Sequence, residues 1–294
     1  MKILIVSKTT NYELYGSTIN QRVKDGLIEQ DYLDRTIAAH KDHHKTLNLL
    51  RNKLNQYKLP FYEIGRGLFW SQSEKPKCIL TVGGDGTVLA TSHYISDTTI
   101  PLIGIRSSHH SIGRLCAFGP QDMEDLLNQL SQDKLSFSQV ERLFAQIRFT
   151  QSQGMISTPP ILNDFLFSNQ YPAATTRYKL EINGKKEDHK SSGIWIAAPC
   201  GSTAAIAAAG GAFQETSAQS FQYFVREPYT PPHSKKANQL TKGFFEPEKQ
   251  SFTIENHNEN AILALDGQHG IVHLHYGDQI KFERAKPLSI AIKI

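Results

Sequence analysis

Residues 78–94 read CILTVGGDGTVLATSHY, with Asp85 set between Gly84 and Gly86, after an apolar run and ahead of a helix-like stretch. Glycines leave the backbone open to close approach and to positive φ, so N–H groups can converge on an anion. A helix N-terminus adds partial positive charge, and together these make a phosphate site. The loop matches neither G-x-x-x-x-G-K-[ST] nor G-x-G-x-x-G, so both common nucleotide fingerprints are absent. Asp85 sharpens the question, because a fixed carboxylate repels phosphate. Such a group makes sense if it holds a metal ion or takes the proton of a hydroxyl attacking a phosphoryl group. The competing reading is a tight turn in which Asp85 caps the following helix.

A second strand–turn–helix is written in KSSGIWIAAPCGSTAAIAAAGG, residues 190–211. Here 194–198 is the strand, 199–201 the turn, and Ser202 or Thr203 the N-cap of an alanine-rich helix ending at Gly210-Gly211. Small side chains at its start would admit an adenine or ribose while the hydroxyls donate hydrogen bonds. A capped structural helix with a small-residue packing face accounts for the same pattern. Cys200 lacks a G-x-S-x-G elbow and an indicated histidine partner, which argues against a nucleophile. His40, His43 and His44 sit at helical spacing, and His273 and His275 share a strand face. Neither set has the full ligand group of a structural zinc site. His109 and His110 follow the third strand, on the side where open α/β sheets bind ligands. Trp70 and Trp195 read as core or interface residues.

The elements around these motifs change character along the chain. Residues 2–6, 79–82 and 101–105 read as buried strands, and 15–31, 41–57 and 88–96 as helices, which together imply parallel βαβ units. Beyond one more amphipathic helix at 122–132, period-2 stretches take over at 144–150, 178–182, 194–198, 252–255, 261–265, 271–276 and 288–292. Asn183-Gly184 and Gly277-Asp278 mark turns among them. The expected fold is therefore a Rossmann-like α/β domain with a parallel sheet over 1–120, then a β-rich, sandwich-like domain over 121–294. The last segment has the option of returning to the first domain. Residues 229–243, with Pro231 and Pro232, read as a long mobile loop.

Composition excludes several classes. The 294 residues are 39% hydrophobic and 20% charged, and no apolar run approaches the roughly 18 residues that span a bilayer. Thirty-two Lys and Arg against 28 Asp and Glu leave a net charge of +4 without a basic stripe, so neither nucleic acid nor membrane is expected as a partner. Cys78, Cys116 and Cys200 are isolated, which excludes a disulfide framework and reads as reduced thiols. The strand beginning at residue three leaves no leader-like segment, so cytoplasmic residence is the expectation.

Gly83-Gly84-Asp85-Gly86-Thr87, then Asn163-Asp164, then Gly201-Ser202-Thr203-Ala204 with Gly210-Gly211, and finally Asp266-Gly267-Gln268 resemble, in order, the four sequence blocks of NAD kinases. The correspondence covers most of the chain. The first block alone also occurs in diacylglycerol and sphingosine kinases. SKTTNYE near the start, SIGRLCAF at 111–118, KSSG at 190–193 and VREP at 225–228 are similar to the mitochondrial-type branch, although the missing transit peptide points to a bacterial or cytosolic relative. The resemblance implies phosphorylation of the adenosine-ribose 2′-hydroxyl of NAD by ATP or polyphosphate, with Mg²⁺ escorting the donor. Asp85 would be the proton acceptor, and Gly83, Gly84, Gly86, Thr87, Gly201 and Ser202 would serve phosphate or ATP binding. Gly86, Asn163, Asp164, Thr203, Ala204, Asp266 and Gln268 would contact NAD. A homodimer or homotetramer is also implied.

Two positions depart from that pattern. Ala205 stands where many relatives have tyrosine, and Ser192 where many have aspartate before the glycine matching Gly193. Both bear on donor and acceptor preference, and they motivate an alternative: a non-catalytic nucleotide sensor that binds NAD without making NADP. A lipid kinase of the diacylglycerol type would need a Gly-Thr-x-Asn-Asp-like element soon after the glycine loop, and 101–118 lacks one.

Overall fold

The computed structural model describes residues 2–68, 75–108, 114–230 and 237–291. Trp70, His109, His110, residues 111–113 of the SIGRLCAF stretch, 231–236 of the 229–243 loop and Ile292 lie outside them. The chain divides into two compact units, Met1–Ser138 with Ser289–Ile294, and Gln139–Leu288.

In the first unit, β1 (Ile3–Ser7) is buried along nearly its whole length, as befits a strand covered on both faces. Helix α1 (Asn11–Lys24) opens on a capping box: the Glu13 amide donates to the Thr10 hydroxyl, and the Thr10 amide donates to the Glu13 carboxylate. Gly26, at φ 70°, turns the chain out of the helix, so the helix expected over 15–31 begins earlier and ends sooner. Helix α2 (Gln30–Gln56) then runs unbroken through the polar stretch ahead of residue 41. Leu33, Leu47, Leu50 and Leu54 form its buried side, but between the first two the inward positions are largely polar, which hides the period.

Strands β2 (Phe61–Gly65), β3 (Ile79–Gly83) and β4 (Leu102–Arg106) join β1 in the order β2-β1-β3-β4, all parallel. Ile290 and Ala291, at the end of the last strand, add a further parallel edge beside β4. Helix α3 (Asp85–Ser92) leaves β3 three residues earlier than the expected 88–96. The cause is Gly84, extended at φ −128°, ψ −171°, which serves as N-cap and accepts the Thr87 amide N–H. Helix α4 (Met123–Ser131) completes the unit, its Leu126, Leu127 and Leu130 buried with Ile3, Leu50, Leu80 and Ile103. Each such side chain contributes about 1.5–3 kcal/mol by leaving water.

The second unit is almost wholly antiparallel. It contains β5 (Ser138–Arg148), β6 (Met155–Ser157), β7 (Asp164–Asn169), β8 (Thr176–Ile182), β9 (Lys185–Ser191) and β10 (Gly193–Ala197). After the short helix α5 (Ala205–Ala208) come β11 (Phe221–Arg226), β12 (Lys242–Phe245), β13 (Phe252–Asn256), β14 (Ala261–Leu265), β15 (Gly270–Leu274) and β16 (Gln279–Ala291). One sheet runs β12-β11-β10-β7-β14-β15, and β16, β13, β8 and β9 line up in another. Phe165 on Phe282, Phe167 on Tyr178 and Tyr223 on Phe252 join the two sheets face to face as a sandwich. Asn183 and Gly184, at φ 51° and 78°, make the tight β8–β9 hairpin that their sequence signals. Strand β12 begins inside the span expected as a long loop. Among the described residues, no helix is long and apolar enough to cross a membrane.

Candidate functional site

The glycine loop lies between β3 and α3, where Asp85 is the first helical residue. Its carboxylate does not cap α3. Oδ2 accepts the Arg114 amide N–H at 2.9 Å and Oδ1 the Leu115 amide N–H at 3.1 Å, so the capping alternative is overturned. The glycines also act differently from expectation, since Gly83, Gly84 and Gly86 are not among the positive-φ residues. Gly83 is required for room: a Cβ there would meet Thr87 Oγ1 at 2.2 Å. Thr87 is 1% exposed, and its Oγ1 is buried with no hydrogen-bond partner, an expensive state unless a ligand supplies one. Beside the loop, burial and the Asp85 charge push the Cys116 thiol up to about 12, which makes it inert.

In the second unit, adjacent strands gather three of the sequence blocks at one sheet end. Ala197 of β10 pairs with Asp164 at the start of β7, and Leu265 at the end of β14 pairs with Phe165. One residue further on, Asp266 adopts φ 45° and turns its carboxylate back on the loop before β7. Oδ2 accepts the Leu162 amide at 3.2 Å, and Oδ1 accepts those of Asn163 at 2.7 Å and Asp164 at 3.2 Å. The sequence contains no signal for Leu162 in this role, because only the amide is used. Asp164 is 4% exposed, and burial, reinforced by the Asp266 charge, raises its pKa to about 7. The 199–201 turn closes against the same loop. Ala198 N–H donates to Asn163 O at 2.8 Å, and a Cβ on Gly201 would lie 2.0 Å from that oxygen.

Downstream the chain departs from the expected capped helix. Pro199–Thr203 is a 3-10 turn, Ala204 sits at φ −90°, ψ −142°, and α5 spans four residues with no side-chain cap. Neither Ser202 nor Thr203 is its N-cap. The Ser202 hydroxyl is buried and taken up by Gln214, donating to its carbonyl at 3.1 Å and accepting its N–H at 3.0 Å. Gln214 was invisible as a partner at a separation of twelve residues. Helix α5 does end where expected, with Gly210 at φ 96°. Thr203 and Gln268 are exposed, and Ala204 and Asn163 half-buried. Trp195 is half-buried with the Arg226 guanidinium 5.9 Å above its ring, and Cys200 is a half-buried cysteine outside any disulfide.

The model of the ATP-NAD kinase N-terminal domain matches residues 22–135. A probable NADH kinase of Oryza sativa subsp. japonica is 27% identical over 280 residues, which cover 88% of this chain and 82% of that one. Among solved structures, yeast NADH kinase complexed with NADH superposes with a TM-score of 0.68 at 15% identity, covering 100% of this chain and 84% of that one. An NAD kinase from Archaeoglobus fulgidus in complex with ATP gives 0.65 at 17% identity, covering 99% and 93%. A parallel α/β unit followed by a β-sandwich unit is the fold that these two solved structures share with this chain. Residues 22–135 thus match the NAD kinase family model, and the chain as a whole is similar to NAD and NADH kinases over most of its length.

Proposed function

We infer that this protein phosphorylates the adenosine-ribose 2′-hydroxyl of NAD or NADH, with ATP or polyphosphate as donor. The observation that carries the reading is Asp85, whose carboxylate is oriented by two amides from a distant loop rather than spent on its own helix. The two amides and the Cys116 thiol do not fill the carboxylate's four lone-pair sites, and the one left can take a sugar hydroxyl's proton. General-base help of this kind contributes on the order of 10²–10⁴ in rate. Gly83, Gly84 and Gly86 leave the approach to the α3 N-terminus open for donor phosphates, and the orphaned Thr87 Oγ1 supports a ligand there.

In the second unit, Asn163 and Asp164 suit the adenosine. A half-buried amide next to a buried carboxyl titrating near neutrality offers both donor and acceptor. Asp266 and Gly201 hold that pair in place, while Thr203, Ala204 and Gln268 offer contacts at its margin. Ser202 contributes its backbone only.

Mg²⁺ fits the residues present. It binds through one or two carboxylates and keeps its remaining positions for water and substrate phosphates. Among the described residues, the one group of three potential metal ligands is Glu13, His40 and His44, so the glycine loop offers no protein cage. That favours an ion carried in by the donor, with Asp85 at hand. When bound, Mg²⁺ supplies charge neutralisation on the transferred phosphoryl group. The reading takes the protein as a cytoplasmic homo-oligomer, which three cysteines outside any disulfide and the sheet edges support.

The test is NADP(H) formation from NAD or NADH with Mg²⁺ and either ATP or polyphosphate. Asp85→Asn should retain NAD binding and lose most of kcat, by on the order of 10²–10⁴. Equal turnover by the folded variant and the wild type would sink the assignment.

A further inference from the structure

The histidine run of α2 acquires a partner that its spacing alone did not reveal. His40 and His44, one turn apart, meet Glu13 of the first turn of α1, and one ligand atom from each residue lies within 4.8 Å of the other two. Thr10 and Glu13 form the capping box of α1. That box now fixes the carboxylate. Its Oε2 accepts the Thr10 amide N–H at 2.6 Å, which leaves Oε1 facing His44 Nε2 at 3.0 Å.

The second histidine is oriented as well. His40 Nδ1 lies 2.8 Å from Thr10 Oγ1, and with Nδ1–H donated to that oxygen, Nε2 carries the free lone pair. Ligating imidazoles are commonly positioned through their other ring nitrogen in this way. The His40 and His44 rings meet edge to face at 4.5 Å between centroids. His43 points inward at 1% exposure and stays outside the set.

We propose that Glu13, His40 and His44 form a site for a divalent transition-metal ion of the Zn²⁺ type, with a fourth position open to water. Two imidazoles and one carboxylate are a ligand set that Zn²⁺ accepts. Mg²⁺ instead demands oxygen ligands in octahedral array. At bond lengths of 2.0–2.1 Å, tetrahedral ligand atoms stand roughly 3.3 Å apart. The Glu13–His44 pair is already at that spacing, and side chains about a third exposed, 36% and 39%, have the freedom to close the rest. The ion would replace the proton shared by Glu13 and His44. His40 borders a cleft of about 440 Å³ that Thr9, Thr10 and Arg35 also line. Because α1 and α2 each supply ligands, occupancy should stabilise the helix pair.

The full-length, tag-free chain is stripped with chelator and titrated with Co²⁺ alone, following its d–d absorption. Expected is one Co²⁺ per chain, displaced by Zn²⁺ but not by Mg²⁺, with Zn²⁺ raising Tm. Glu13→Gln and His44→Gln should each weaken binding by at least ~10-fold while the far-UV spectrum stays that of the wild type. A paired control, His273→Gln with His275→Gln, alters exposed histidines of the other unit and should leave binding unchanged. Absence of saturable Co²⁺ binding, or binding that both ligand variants retain undiminished, would overturn the proposal.

Discussion

Asp266 Oδ1 accepts the amide N–H of Asn163 at 2.7 Å, joining positions 103 residues apart. With Leu162 and Asp164 on the same carboxylate, three amides converge on one side chain. Asp266→Asn keeps one acceptor oxygen but turns an NH₂ toward an amide donor. The expected result is a loss of about 1–3 kcal/mol in urea unfolding together with a raised KM for NAD. A variant with unchanged stability and KM would show that the loop holds its shape without this carboxylate.

The Asp164 pKa ties stability to pH. Its folded value of about 7 lies above the ordinary 3.8, so the folded chain binds the proton more tightly than the unfolded one. Its contribution is present below about pH 4 and is lost as pH rises toward 7, at no more than about 1.4 kcal/mol per pH unit. Urea melts at stepped pH should show the wild type falling relative to Asp164→Asn across that window, with the difference level on either side. A constant difference from pH 4 to 8 would contradict the shift.

Gly83 and Thr87 form a steric pair. Gly83→Ala drives a Cβ into Thr87 Oγ1 at 2.2 Å and should cost roughly 1–3 kcal/mol. Adding Thr87→Ala removes the oxygen but leaves the Thr87 Cβ 2.9 Å away, so rescue in thermal melts should be partial. Additive losses in the double variant would mean that the two positions do not touch.

Gly201→Ala meets backbone rather than a mobile side chain, the Asn163 carbonyl at 2.0 Å, and should cost roughly 3 kcal/mol or more. Thr203→Ala, at an exposed position, should leave stability within about 0.5 kcal/mol and move only KM. Reversed outcomes in paired melts and kinetics would exchange the structural and ligand-facing roles of the turn.

Much of the scaffold was legible because its signal is local. Continuous apolar runs at 3–7 and 79–83 can only be covered on both faces, and Asn183-Gly184 can take the backbone angles a tight hairpin demands. Helix α2 was half hidden because its length rests on packing of scattered leucines rather than on an unbroken apolar period. The expected alanine helix shrank to four residues because Ser202 is drawn to Gln214 and Ala204 leaves helical geometry, a tertiary override of good helix propensity.

The sequence by itself determined the residue types at the sites: a carboxylate within a glycine loop, an Asn-Asp pair, a small-residue turn and a later aspartate. It left open whether Asp85 caps its own helix, because cap preference depends on neighbours within one turn, whereas the amides that take its carboxylate belong to Arg114 and Leu115, 29 and 30 residues away. Tertiary structure likewise decided that Asp266 acts on the Asn163 loop and that Glu13 meets His40 and His44. Those contacts use backbone amides and helix crossings, which leave no pattern in residue type or period.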